Sequence, residues 1–286
     1  NYSRRSLFII ILKNRMISKK DINLSIERCK KYRRKILDIS QQVFALHLGG
    51  SYSCLEMIDY IYNFHIPYKK KKTNNNIFIM SKGHSCMAQY VILQSRGILS
   101  QKDLDNYCKA NGKLGCHPDY GNPGIEASTG SLGHGLALAV GICQANKINK
   151  DNSKVFVILS DGELQEGSTW EALMMAANLE LDNLYCFLDN NGSQSYGVTK
   201  VEHPKFYPIK EKIEAFNWEV ATVDAHNIKD IDTKFYNRKT KKPFFIIGNS
   251  TKGKGVSFME NKPAWHYMSP TLEEYEIAKK DLEEGF

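Results

Sequence analysis

Residues 155–159 (Val-Phe-Val-Ile-Leu) and 184–188 (Leu-Tyr-Cys-Phe-Leu) are apolar throughout, and a stretch of helical periodicity separates them. Runs of this length without alternation predict parallel strands buried on both faces. Further strands are predicted at 77–80, 218–223 and 244–247. Helical periodicity covers 21–45, with apolar Ile22, Ile26, Cys29, Ile36, Ile39 and Val43 on one side and a basic outer face. After a break at Gly49-Gly50, a second helix is predicted over 54–64, then others over 87–99 and 136–145. A capping-box pattern, Ser168-Thr-Trp-Glu171, starts one more that runs to about 179. Residues 112–135 are rich in glycine and proline, and too long to be an idle loop in a compact domain. Strands alternating with helices predict an α/β fold, a doubly wound and mostly parallel sheet with helices on both faces.

Each of the two apolar runs ends in a polar cluster: Asp161-Gly162-Glu163 after the first, Asp189-Asn190-Asn191-Gly192 after the second. Such clusters fall at the carboxyl ends of strands, where open α/β sheets bind ligands. An aspartate, an asparagine amide and a nearby carbonyl are hard oxygen donors suited to Mg²⁺ or Ca²⁺ holding a diphosphate. Taken singly, Asp-Gly and Asn-Asn-Gly are also ordinary turn sequences. Several of the eight histidines lie in glycine-rich contexts, namely His47, His84, His117 and His134, while His266 follows Ala264-Trp265. Grouped at one end of a sheet, they would line a polar cleft able to donate hydrogen bonds and shuttle protons.

The chain has 286 residues, 42% of them hydrophobic, enough for a full core. Its net charge of +8 suits anionic ligands. The run Lys69–Lys72 is read as a solvated loop rather than a nucleic-acid patch, since no aromatics interleave it. Seven dispersed cysteines without metal or disulfide spacing fit reduced thiols in the cytoplasm. Arg4-Arg5 and the apolar residues 7–12 are too short a stretch to span a bilayer. Met16 is the expected natural start, so residues 1–15 are expected to be an extension outside the fold and 16–286 a single domain.

The spacing from Asp161-Gly162 to Asn190-Asn191 resembles that of the thiamine-diphosphate enzymes. Within them, Met80-Ser-Lys-Gly-His84, Gly115-Cys-His-Pro-Asp119, Ala127-Ser-Thr-Gly-Ser-Leu-Gly-His-Gly135, Asp161-Gly-Glu-Leu-Gln-Glu-Gly167 and the segment 252–260 look like transketolase. The likeness runs from about residue 20 to the end and is greatest to the amino-terminal subunit of transketolases split over two chains. It implies thiamine diphosphate and Mg²⁺ (or Ca²⁺) as cofactors. Asp161, Asn191 and the Ser193 carbonyl would ligate the metal. Gly162 would offer its N–H to the diphosphate, with His84 and His266 at the same end. Gly130 and Leu132 would face the cofactor's rings. His47, His84 and His117, together with His266, would serve catalysis and sugar binding, and Glu166 would belong to the acidic region joining two cofactor sites. Three positions depart from the family pattern: Ser160 for glycine, His134 for glutamine, and Tyr267 where glycine is common.

The implied activity is transfer of a two-carbon ketol unit between sugar phosphates. The alternative is acyloin or branched-sugar synthesis on a nucleotide-linked or biosynthetic sugar. A complementary carboxy-terminal subunit is expected to supply the glutamate that contacts the aminopyrimidine, in a heterotetramer. A regulatory paralogue and a nucleic-acid module are the less favoured readings, and no membrane association is expected.

Overall fold

The computed structural model describes residues 16–67, 75–195 and 197–285. The amino-terminal segment and the lysine run lie outside the described residues, so the expectations for them do too.

Five strands form one parallel sheet: β1 (Ile77–Met80), β2 (Val155–Ser160), β3 (Leu184–Asn190), β6 (Glu219–Asp224) and β7 (Phe244–Asn249), in the order β1-β2-β3-β7-β6. A two-residue antiparallel pair, β4 (Ser193–Gln194) with β5 (Gly197–Val198), sits apart from it. The apolar runs are continuous because successive side chains enter two different cores. Phe156, Ile158, Tyr185 and Phe187 pack with the first core, while Val155, Val157, Leu159, Cys186 and Leu188 pack with the second. The wound α/β class read from the sequence is therefore the observed one.

Helix α1 (Lys19–Ser40) begins at a capping box, in which Ser18 and Asp21 each bond the other's backbone N–H. Its basic face is not wholly outward, contrary to expectation. Arg28 pairs with buried Asp59 at 2.7 Å, and Arg33 with buried Glu56 at 2.7 Å. Carboxylates on the next helical segment draw these two arginines in.

The Gly49-Gly50 pair does not break the chain. It lies within α2 (Leu48–Ser53), followed by α3 (Leu55–Tyr60) and a π-helical turn, Ile61–His65. A side chain at Gly49 would meet the Trp265 carbonyl at 2.9 Å, so glycine here serves close packing. Helix α4 spans Cys86–Ser95 and α5 Gln101–Asp105; α6 (Gly135–Ile148) and α7 (Gly167–Asn178) cover the second core. The expected capping box at Ser168 does not form. Glu166 occupies the cap position of α7, and Ser168 Oγ donates instead to the Gly133 carbonyl at 3.0 Å. Among the described residues no helix is long and apolar enough to cross a membrane.

Candidate active site

Parallel strands in register bring their carboxyl ends to one level. Ser160 pairs with Asp189, and Asn190 with Asn249. Four strand ends consequently converge: Lys82 beyond β1, Asp161 beyond β2, Asp189 at the end of β3, and Ser250 beyond β7.

Asp189 is the hub. Completely buried, it forms an ion pair with equally buried Lys82 and accepts from Ser250 Oγ, from Ser53 Oγ at 2.6 Å and from the Asn191 amide at 3.0 Å. Burial alone would raise its carboxyl pKa, but Lys82 and these donors hold it below the ordinary value. Lys82 is further fixed by the Gly50 carbonyl at 3.0 Å.

Asp161 is just as buried but differently satisfied. The N–H of Gly162 donates to its Oδ1 at 3.0 Å and the N–H of Gly192 to its Oδ2 at 2.8 Å. No lysine or arginine among the described residues forms an ion pair with it. Burial, and then the charge of Asp189, lift its pKa to about 7. A carboxylate in that state favours a cation beside it. Asn191 is oriented on both sides: its amide nitrogen donates to Asp189, and its Oδ1 accepts from Ser193 N at 3.0 Å. One carboxylate, one amide oxygen and the nearby Ser193 carbonyl form a hard-oxygen donor set of the kind Mg²⁺ takes with water and phosphate completing its shell.

Above this floor opens a cleft of about 760 Å³. Gly162, Asn191 and Ser193 line its inner side, and His84, His266, Gly130, Leu132 and Glu166 its walls. Glu166 is exposed, whereas its neighbour Glu163 is buried and takes the Gly133 N–H at 2.9 Å and the Ser81 hydroxyl. That carboxylate pins the 130–135 loop to the sheet end. Gly162 lines the cleft, but its N–H is engaged by Asp161.

His47, His84 and His266 form a cluster with ring centroids 5.2–5.6 Å apart. Burial and the nearby Lys252 and Lys82 lower all three pKa values, that of His47 to about 4 and that of His266 to about 3. They are therefore neutral imidazoles at pH 7. His117 approaches from the opposite loop and packs on Gly130: a Cβ at Gly130, whose φ is +139°, would lie 2.7 Å from its ring. His134 is exposed at the start of α6 and is not among the cleft-lining residues, while the Tyr267 ring lies tilted against His47 with centroids 4.4 Å apart.

Two lysines escaped the sequence reading, although both stood in quoted motifs. Lys82 neutralises Asp189. Lys252 is almost wholly buried, with Nζ 3.1 Å from His266 Nδ1 and 3.4 Å from the Ser195 carbonyl, and burial followed by Lys82 lowers its pKa to about 8. A buried lysine is unusual, and the two partners of Lys252 here, an imidazole nitrogen and a carbonyl, are both uncharged.

A buried carboxylate, a cleft with an ammonium and amide oxygens in its lining, and neutral imidazoles beside it define the class: a site for a phosphorylated cofactor at the carboxyl end of an open α/β sheet. The family model for "Transketolase, thiamine diphosphate binding domain" matches residues 27–286, and this chain belongs to the transketolase family. It is 38% identical over 261 residues to an apulose-4-phosphate transketolase subunit of Phocaeicola vulgatus, covering 89% of this chain and 92% of that one. It is also 35% identical to a 6-deoxy-6-sulfo-D-fructose transketolase subunit of Clostridium sp., over 83% of this chain and 88% of the other. Among solved structures, the transketolase of Campylobacter jejuni superposes with a TM-score of 0.85 at 27% identity, over 92% of this chain and 43% of that longer chain.

Proposed function

We propose that this chain is the diphosphate-gripping subunit of a two-chain transketolase, which binds thiamine diphosphate with Mg²⁺ and transfers a two-carbon ketol unit between sugar phosphates. The observation that carries this reading is buried Asp161, which no lysine or arginine among the described residues pairs with, next to a cleft lined by Gly162, Asn191, Ser193 and Lys252. Asp161, the Asn191 amide oxygen and the Ser193 carbonyl would hold the metal. Lys252, His84 and His266 would take the diphosphate oxygens, and Gly130 and Leu132 would form the surface on which the rings rest.

When bound, the cofactor supplies an electron sink for breaking the carbon–carbon bond next to a ketose carbonyl. The chain's own part is to orient, to exclude water and to move protons. His47, His84 and His266, neutral at pH 7, can accept or donate at substrate hydroxyls. His117, laid over Gly130, would position the sugar from the other side.

The relatives named as subunits support a partner chain, which would supply the glutamate at the aminopyrimidine; two of each would make the heterotetramer. In this reading residues 16–286 form one domain, residues 1–15 lie outside it, and the enzyme works in the cytoplasm. The names of the two split relatives, one acting on apulose 4-phosphate and one on a sulfonated fructose, point to anionic ketoses as the substrate class.

The test is to measure Mg²⁺-dependent thiamine diphosphate binding by calorimetry, and ketol transfer from a ketose phosphate to an aldose phosphate. Both are measured for the chain alone and with its complementary subunit. Binding and turnover are expected in the complex only. Robust turnover by the lone chain would refute the two-chain reading, and no Mg²⁺-dependent binding in the complex would refute the cofactor assignment.

A further inference from the structure

Residues 107–117 fold back so that the N–H of Cys108 donates to the Leu114 carbonyl at 2.9 Å, which sets Cys108 beside the strand of chain leading to Cys116. Cys108 adopts a left-handed φ of +55° in this turn. Both cysteines are exposed, whereas the other five are buried. The pKa of the Cys108 thiol is raised, first by burial and then by the neighbouring Cys116. Cys116 Sγ lies 3.3 Å from His117 Nδ1. The backbone here is tied down: Cys86 Sγ donates to the Cys116 carbonyl at 3.2 Å, and Tyr90 OH to the His117 carbonyl at 2.9 Å. His117 in turn rests on Gly130 in the cleft wall.

We propose that Cys108 and Cys116 are a peroxide-sensitive dithiol whose oxidation to a disulfide displaces His117 and slows the enzyme. The Cys116 thiolate attacks hydrogen peroxide; an S–O bond forms, the O–O bond breaks, and hydroxide leaves to be protonated as water. The Cys108 thiolate then attacks the Cys116 sulfur, forming S–S as the S–O bond breaks and a second water leaves. Two thiols and one peroxide thus give one disulfide and two waters. The new bond removes the Cys116 thiol from Nδ1 and draws residue 116 toward 108, against the fixed Tyr90 contact, so the ring must move.

The chemical half stands without the functional reading; the loss of rate rests on that reading. Oxidise the chain, assembled with its partner subunit, using hydrogen peroxide, block the remaining thiols and map tryptic peptides. Cleavage after Lys109 and Lys113 separates the two cysteines. Fragmentation then distinguishes Cys116 from Cys143, which shares its peptide. A Cys108–Cys116 cross-link reversed by dithiothreitol is expected, and in Cys108→Ser a dimedone adduct at Cys116 replaces it. Both cysteines recovered as blocked thiols, or Cys116 cross-linked elsewhere, would overturn the proposal. In the turnover assay kcat/KM should fall at least about tenfold, within the roughly hundredfold that an ångström of misplacement costs, with cofactor affinity unchanged and Cys108→Ser resistant. A cross-link that leaves kcat/KM unchanged would overturn the coupling to His117. If the assembled enzyme shows no ketol transfer, the functional reading fails while the cross-link result stands on its own.

Discussion

Glu56→Gln should destabilise the fold and loosen the cleft, and the structure sets the size of the effect. The carboxylate of Glu56 bonds Arg33 through both guanidinium nitrogens, at 2.7 and 2.8 Å, and His226 Nδ1 at 3.0 Å. His226 Nε2 then accepts the Thr251 N–H at 2.9 Å, directly before Lys252 in the cleft. Burial would raise the Glu56 pKa, yet Arg33 and His226 bring it from an ordinary 4.5 down to about 2. At about 1.36 kcal/mol per pKa unit, that corresponds to roughly 3 kcal/mol of folding stability. The figure agrees with the 3–5 kcal/mol or so typical of breaking a buried ion pair. Glutamine preserves the shape and one acceptor oxygen for Arg33, but removes the second acceptor and the charge that balances its buried guanidinium.

A depressed carboxyl pKa gives stability that is fully present above about 4.5 and fades as pH falls toward about 2. Urea unfolding of both proteins at pH 7, 5, 4 and 3.5 should therefore give a difference of about 3 kcal/mol that is constant down to pH 5 and shrinks below it. A difference under about 1 kcal/mol at pH 7, the range of an exposed pair, would refute the reasoning, as would one that stays constant to pH 3.5.

Asp161→Ala removes the one carboxylate of the metal donor set, so thiamine diphosphate affinity in the presence of Mg²⁺ should fall by two orders of magnitude or so, the upper end of what lost ligand support costs; calorimetry reads this, and unchanged affinity would remove Asp161 from the site. His117→Ala should keep cofactor binding while lowering kcat/KM, since the ring reaches the cleft only over Gly130; loss of cofactor binding with turnover intact would reverse that assignment. Gly130→Ala should lower kcat/KM too, because its Cβ would lie 2.7 Å from the His117 ring and its φ of +139° disfavours a side chain; kcat/KM like that of the parent enzyme would show that the ring is free to shift.

The floor of the cleft was legible in the sequence because each of its parts sits at a strand end. An apolar run that stops at Asp161 or Asp189 fixes both the element and the residue's place on it. What pattern reading missed depended on contacts distant in sequence. Lys82 and Asp189 are 107 residues apart, and nothing local marks them as an ion pair. Arg28 and Arg33 looked like a solvated face until Asp59 and Glu56 came to meet them. Ser168 failed as a cap because a tertiary acceptor, the Gly133 carbonyl, took its hydroxyl. Gly49-Gly50 looked like a break because glycine that permits close packing cannot be told from glycine that ends a helix without knowing what lies opposite.

The charges at the site favour the proposed metal-bound diphosphate over either a cation or an anion alone. Among the ionisable groups at the strand ends are Asp161, Asp189, Lys82 and Lys252. Lys82 and Asp189 pair with each other in full burial. That leaves Asp161, pushed up to about 7, and Lys252, pulled down to about 8, each shifted toward its uncharged form by burial. A simple anion would satisfy Lys252 but worsen the position of Asp161, and a lone cation would do the reverse. A divalent ion already coordinated by phosphate would put positive charge toward Asp161 and negative oxygens toward Lys252 together. The imidazoles around it, kept neutral by the same two lysines, add hydrogen bonds without adding charge. On this accounting the site strains two opposite charges in its own interior and is relieved by a ligand that carries both.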